Sequence, residues 1–290
     1  MAHAHTHDGI DWAARVGHLR RADEIEADAL AAVARRLLAL LPGRPTVLDV
    51  GSGTGGMAAA LATEMGDEGG RVVLVDAEPA LQEIAVDRVR AAAGDRVDVV
   101  TVLADAMDPD LPALVPPGDL LWASGVVHHL PDQLACLTAL VRLLRRGGLF
   151  ALREGGLTAR CLPWDLGLGE PGLQDRLHAA RDAWFARLRT TMDGSVRLPL
   201  GWNLAMVKAG LVDVTSFSYL VDLPAPAPLP VRRAVADWLG GLAAVAGEGL
   251  GAADQTTVRR LLDPDSPDWV VDRNDVFVLG ASTVYLGSVL

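Results

Sequence analysis

The sequence predicts an α/β fold: an open, mostly parallel sheet with helices on both faces. Three observations predict it. Short apolar runs alternate with helix-like segments from residue 46 to about 156. The runs are continuously rich in Val and Leu instead of alternating apolar with polar, as strands covered on both faces require. A cluster of glycines separates the first run from the helix that follows it. Repeated strand, helix, strand units imply right-handed crossovers. A ligand then belongs beyond the carboxyl ends of the strands, where strand order reverses, which selects the loops after residues 50, 75, 104, 123 and 153 as the floor of a site.

Taken in order, residues 1–41 read as a tail followed by a helical cover. From Asp23 to Leu41 the positions Leu30, Val33, Leu37 and Leu41 form one stripe, with Asp23 as N-cap and Glu26 at the reciprocal capping-box position. The PGRP at 42–45 ends this helix. Within a core at 42–156, TVLDV, RVVLVD, RVDVVTVL, GDLLWAS and GLFALRE are strands, and MAAALATEM, PALQEIAVDRVRAAA and QLACLTALVRLL are helices. Cys136 falls beside the apolar face of the last helix, where packing is the better reading than chemistry. Residues 157–210 form a less regular insertion with an amphipathic helix from about Leu173 to Arg189, and 211–222 resume a strand. A stiff PAPAPLP leads into a second helical insertion at 223–270 with helices near 231–246 and 254–262. Residues 271–290 supply terminal strand material, with Gly-Ala-Ser at 280–282 expected to bend or divide it. All of this is read as one structural domain.

Composition narrows the function. The 37 acidic against 26 basic residues give a formal charge of -11, with arginines scattered. That balance argues against a nucleic-acid partner and for a small molecule or a protein partner. Two cysteines are too few for a disulfide scaffold or a zinc site and fit a reduced, cytoplasmic setting. The N-terminus lacks the pattern of a secretory signal, and no apolar run approaches the roughly 20 residues of a membrane span. His3, His5 and His7 read as a solvated tail, and no metal is expected.

The stretch VLDVGSGTGGM at 47–57 carries most of the functional information. Strand, glycines and helix together make a tight turn whose backbone can approach a ligand closely. A phosphate-binding loop of the GxxxxGK[ST] kind is excluded by its missing lysine. A strict dinucleotide fingerprint fits only loosely, with glycines at 51, 53, 55 and 56. No G-x-S-x-G hydrolase elbow and no zinc-deaminase signature is present.

VLDVGSGTGG closely resembles motif I of class I S-adenosylmethionine-dependent methyltransferases, and the resemblance extends in pattern over roughly 42–156. It implies a Rossmann-like class I methyltransferase fold with a seven-stranded, mostly parallel sheet, N-terminal helices and helical cap insertions. Asp49, Gly51, Ser52, Gly53 and Gly55 match the motif, whose loop meets the methionyl and ribose portions of the cofactor. Asp76, with Ala77 after it, matches the family's ribose-binding acid. The same offset suits an NAD ribose, about 20 residues on, so a dehydrogenase stays in view at that point. Asp105 and Ala106 match the position that contacts the adenine amino group. The alternatives are local: Asp105 as a turn cap, and Asp49 as a buried turn anchor, brace for loop amides or water-mediated partner of the cofactor's amino group. Ser124 and Gly125 resemble the cofactor-facing end of the fourth strand, with Trp122 and His128 in the same segment.

For the reaction, an imidazole accepts a proton near neutrality. His128 or His129 is the candidate base for a hydroxyl that attacks the sulfonium methyl, with packing at the strand end as the rival role. Glu154, at the end of the fifth strand, is the third candidate, either accepting from substrate or paired with Arg153. Trp12, Trp164, His178, Arg181, Trp184, Phe185, Trp202 and Asn203, with Met192, supply the apolar surfaces and polar anchors of a lid or pocket for an organic substrate. The resemblance implies S-adenosylmethionine as cofactor, S-adenosylhomocysteine as product and a small, fairly apolar acceptor in bacterial specialised metabolism. O-methylation is favoured over C- or N-methylation. The other readings are a cofactor-bound cyclase or rearrangement catalyst and a noncatalytic binding protein. The apolar helix faces would also suit a homodimer.

Overall fold

The computed structural model describes the backbone of residues 12–290, with side chains from Arg15 on and that of Glu248 set aside. The His3, His5 and His7 tail lies outside the described residues, and Trp12 opens the first helix with its side chain outside them.

The chain runs α1 (Trp12–Leu38), β1 (Thr46–Val50), α2 (Gly56–Glu64), β2 (Gly70–Asp76), α3 (Pro79–Ala93), β3 (Val97–Leu103), α4 (Leu111–Leu114), β4 (Gly118–Ser124) and α5 (Gln133–Val141). It continues through β5 (Leu144–Arg160), α6 (Leu173–Thr191), α7 (Trp202–Lys208), β6 (Val212–Leu223), α8 (Leu229–Ala246), α9 (Ala252–Leu262) and β7 (Val278–Ser288). The seven strands form one sheet in the order β3-β2-β1-β4-β5-β7-β6. Four parallel pairings join β3 through to β5. The chain starts centrally, walks out to β3 and returns to place β4 against β1, so the reversal of strand order lies between β1 and β4. This is the predicted Rossmann-like sheet, and the crevice it creates is where the site is found.

Alternate residues of one strand serve two cores, which explains the uninterrupted apolar runs. Leu48, Val50, Val73, Val75, Leu121 and Ala123 join one cluster with Cys136, Leu137 and Leu140 of α5 and Ala205 and Met206 of α7. Val47, Val72, Leu74, Leu120 and Trp122 join the other with Leu30, Val33 and Leu37 of α1 and residues of α2 and α3. Cys136 is wholly buried in the first cluster, and its thiol pKa is pushed up by that burial.

The chain divides into two compact units, a finer division than the single domain drawn from sequence. Unit 1 comprises Met1–Gly156, Met192–Tyr219 and Ser282–Leu290; unit 2 comprises Leu157–Thr191 and Leu220–Ala281. In unit 2, Arg176 grips Asp254 through two hydrogen bonds of 2.7 and 2.8 Å. Gln174, buried, accepts from the backbone N–H groups of Cys161 and Leu162.

Two local expectations are corrected. Asp23 is not an N-cap and Glu26 closes no capping box, because α1 continues unbroken from Trp12 through both. Leu19, Arg20, Arg21 and Ala22 before Asp23 are good helix formers, Gly17 is accommodated within the helix, and the two carboxylates have long-range partners instead. The Gly-Ala-Ser at 280–282 does not divide the last strand: β7 passes straight through it. There, a Cβ on Gly280 would stand 3.0 Å from the Ala159 backbone, so the glycine serves close strand approach.

Candidate active site

A cavity of about 500 Å³ opens within unit 1 at the carboxyl ends of β1 to β5. That volume lies in the range of small-molecule sites, roughly 300 to 1,000 Å³. Its floor is the glycine loop. Gly51, at φ 70°, sends its N–H to the Val75 carbonyl at 2.8 Å. A Cβ there would lie 2.2 Å from a methyl carbon of Val126, so packing and backbone both demand glycine. Gly53 differs. Its φ is 53°, yet a Cβ would meet nothing within 4 Å, because the space beside it is the cavity itself.

Asp76 ties this loop to the end of β2. One carboxylate oxygen accepts from the Gly53 N–H at 2.8 Å and the other from the Glu78 N–H at 2.9 Å. Each oxygen keeps a lone pair for a ligand. Asp105 accepts from the Met107 N–H at 2.7 Å, the turn-capping geometry, while still lining the cavity. Both of its anticipated roles are therefore compatible. Ser52 Oγ is buried on the cavity wall with no protein partner among the described residues.

Asp49 is 3 % exposed, and its pKa is pushed up to about 8. Burial is the main cause, followed by the charges of Asp76 and Asp23; a hydrogen bond from the Ala58 backbone opposes them. Asp76 is raised as well, again chiefly by burial. Adjacent carboxyls with disfavoured negative charge suit a ligand that brings positive charge.

The far wall comes from α1 and β5. Asp23 and Glu26, three apart and hence on one helix face, both line the cavity. Asp23 accepts from Thr54 Oγ1 at 2.6 Å and pairs with Arg88 at 2.6 Å. Glu26 pairs with Arg153 at 2.6 Å and accepts from Tyr219 Oη at 3.1 Å. The Tyr219 hydroxyl is buried, which raises its pKa. Arg153 also donates to Ser124 Oγ and Ser282 Oγ.

Of the residues singled out from sequence for the cofactor, Asp49, Gly51, Ser52, Gly53, Asp76, Ala77, Asp105, Ala106, Ser124 and Gly125 all line this cavity. Gly55 does not; its Cβ position falls 2.8 Å from the Ala85 backbone, so it serves loop packing against α3. Of the three candidates for proton transfer, His129 lines the cavity. His128 and Glu154 stand behind it. Glu154, 4 % exposed, takes the His128 Nδ1 at 2.8 Å and the His128 N–H at 3.3 Å, and the two imidazoles lie 3.8 Å apart between centroids. The rival pairing of Glu154 with Arg153 gives way to Arg153 with Glu26.

Trp164, His178, Arg181, Trp184 and Phe185 belong to unit 2. Trp164 is 70 % exposed, Arg181 pairs with Asp182, and Trp184 lies against Phe185. His178 is buried edge-on to Trp238, with its pKa lowered mainly by desolvation. Trp202 and Asn203 begin α7, where Trp202 packs on the unit 1 core beside α5. Sequence reasoning missed the cavity roles of Asp23, Glu26, Leu19, Leu30 and Leu130. The signal available was two carboxylates one helical turn apart beside an apolar stripe, which suits a cavity wall as well as a cap.

Among the described residues, no group of three or more His, Cys, Asp or Glu side chains is placed to hold a metal ion, and no helix is long and apolar enough to cross a membrane.

The sheet order, the glycine loop at the β1–β4 reversal and the acids at the ends of β2 and β3 define a Rossmann-like α/β domain with its cavity at the topological switch point. The sequence model of the methyltransferase-domain family matches residues 48–150. Over that stretch the chain is related to the S-adenosylmethionine-dependent methyltransferases whose motif the glycine loop resembles. It is 36 % identical over 138 residues to nocamycin O-methyltransferase of Saccharothrix syringae, a stretch spanning 47 % of this chain and 47 % of that protein. The chain thus matches about half the length of that relative. Among solved structures, the YcgJ protein of Bacillus subtilis aligns with a TM-score of 0.49 at 16 % identity, covering 91 % of this chain and 99 % of that one. The [4+2]-cyclase SpnF aligns with a TM-score of 0.46 at 18 % identity, covering 91 % and 82 %.

Proposed function

We propose that this protein transfers a methyl group from S-adenosylmethionine to a hydroxyl of a small, fairly apolar metabolite, releasing S-adenosylhomocysteine. The observation that carries the reading is the Gly53–Asp76 pair: an open glycine facing the cavity, bonded to a carboxylate that retains lone pairs for two vicinal hydroxyls. Asp105 and Ala106 would border the adenine, Ser124 and Gly125 the methionyl group. The unpartnered Ser52 Oγ and the proton-retaining Asp49 fit a polar, cationic occupant.

When bound, the cofactor supplies an electrophilic methyl on a sulfonium that leaves as a neutral thioether. The protein's part is alignment, exclusion of water and removal of one proton. His129 is proposed to take that proton at a ring nitrogen as the acceptor oxygen forms its bond to carbon. His128, fixed on Glu154, buttresses the His129 ring.

Calorimetry with S-adenosylmethionine, S-adenosylhomocysteine and NAD tests the first step, and selective NAD binding would sink it. Methyl-labelled cofactor and a panel of hydroxylated metabolites test the second. Label in the product supports transfer, whereas conversion without label supports rearrangement. The variant His129→Gln is expected to lower turnover on the order of 100-fold, the scale of general-base catalysis, while leaving cofactor affinity within about twofold. Unchanged turnover would remove His129 from the chemistry.

A further inference from the structure

Two helices of unit 1 cover the same core and turn their other sides outward. Cys136, Leu137 and Leu140 of α5 and Ala205 and Met206 of α7 are buried in one cluster. The outer side of α5 is a shallow groove lined by Asp132, Leu134, Ala135, Thr138, Ala139 and Arg142. On α7 the outer side presents Leu204 and Val207, one turn apart and each 53 % exposed. Val196, 50 % exposed, adjoins the start of α5, where its N–H is bonded to the Pro131 carbonyl at 2.9 Å. We propose that this face joins two copies of the chain, with α5 packed antiparallel against α5 of the second copy about a two-fold axis at the level of Leu137.

The charges select a second copy as the occupant. A two-fold axis makes a surface meet itself, so the surface must complement its own reverse. Asp132 and Arg142 are ten residues apart in the α5 groove, about 15 Å of helix. In the antiparallel pair each Asp132 stands opposite the Arg142 of the other copy, and each Ala135 opposite Ala139. Both charges are available for this. One Asp132 oxygen caps the helix by accepting from the Ala135 N–H at 2.9 Å, which leaves the other to pair. The Arg142 guanidinium has no carboxylate partner among the described residues. Between the two charges the side chains are small, which lets helix axes approach to about 8 Å. Thr138 makes no polar demand on the contact, because its Oγ1 already donates to the Leu134 carbonyl at 2.8 Å. Antiparallel packing also sets opposite ends of the helix dipoles side by side. The whole chain, at a formal charge of -11, repels its copy, but the α5 groove carries one charge of each sign. A helix as short as α5 does not by itself bury the roughly 1,000 Å² of a specific interface. The exposed Leu204, Val207 and Val196 enlarge the apolar area beside it.

Sedimentation velocity on the full chain, across micromolar concentrations, should show an equilibrium between monomer and dimer. Asp132→Arg and Arg142→Asp each set like charges face to face at two places, so each alone should weaken association on the order of 100-fold. Asp132→Arg also removes a helix cap, so the mixture of the two variants is decisive. Equimolar Asp132→Arg and Arg142→Asp chains place an arginine against an aspartate at both contacts of a mixed dimer, and should associate about as tightly as the wild type. Ala139→Trp, which keeps both charges and the cap, should weaken association to a similar degree as the single reversals by wedging the helices apart. A wild type that is monomeric throughout, which would leave the face to a partner of another kind, overturns the proposal. So does a dimer that survives Ala139→Trp and both charge reversals, or a mixture no more associated than its separate components.

Discussion

The floor and the far wall of the cavity are built by different means. The floor, from Asp49 to Asp105, consists of strand ends and tight turns in which backbone N–H groups meet nearby carboxylates: Gly53 with Asp76 and Met107 with Asp105. The wall joins side chains far apart in the chain, Glu26 with Arg153 and Tyr219, across 127 and 193 residues. A local arrangement keeps its geometry in any chain that forms the turn. The distant one exists only after α1, β5 and β6 have found one another. The geometry of the floor is therefore set locally, while how firmly the cavity is enclosed depends on its wall.

That contrast can be broken from the floor side first. Asp76→Ala removes the acceptor of two backbone N–H groups and the proposed ribose contacts together. Affinity for S-adenosylmethionine should fall on the order of 100-fold or more, since hydrogen bonds to charged groups are each worth about 1.5–3 kcal/mol. Calorimetry checks this, and a loss under fivefold would mean that the floor does not hold the ribose. Gly51→Ala should act on stability instead. A methyl against Val126 and an alanine at positive φ should together cost about 2 to 4 kcal/mol, read as a lowered Tm even without ligand.

The third effect concerns pH. Asp49 holds its proton to about pH 8 in the folded protein, against 3.8 for the unperturbed group. Between these values the folded state binds the extra proton, so Asp49 makes stability fall as pH rises from about 4 to 8 and contributes no further slope above that. Asp49→Asn should flatten that part of the profile in denaturant titrations from pH 5 to 9. An unaltered slope would show that Asp49 ionises normally.

Legibility in the sequence follows the same division. Asp76 and the glycines could be placed because each sits at the end of an apolar run, and the run fixes the strand end. The two-sided burial of Leu48, Val73 and Leu121 against Val47, Val72 and Leu120 was likewise present in their unbroken apolar pattern. Glu26 could not be placed, since a helical carboxylate looks alike whether it caps, solvates or crosses to Arg153. Local capping was the simpler inference, and tertiary pairing overrode it. Glu154 is an intermediate case: its strand-end position was legible, but its direction away from the cavity and toward His128 depended on the 3₁₀ turn at Val127–His129. Trp202 was drawn as a lid residue on the strength of its size and instead fills space beside α5.

The part that α1 plays has a practical corollary for anyone dissecting the chain. The recognisable domain begins at residue 48, so it invites a cut just upstream of β1. Such a cut would spare every glycine of the loop, yet it would strip Leu30, Val33 and Leu37 from the sheet face they cover and leave Arg88 and Arg153 without their carboxylate partners. The outline by which the domain is recognised is smaller than the piece that can be expected to stand and bind by itself.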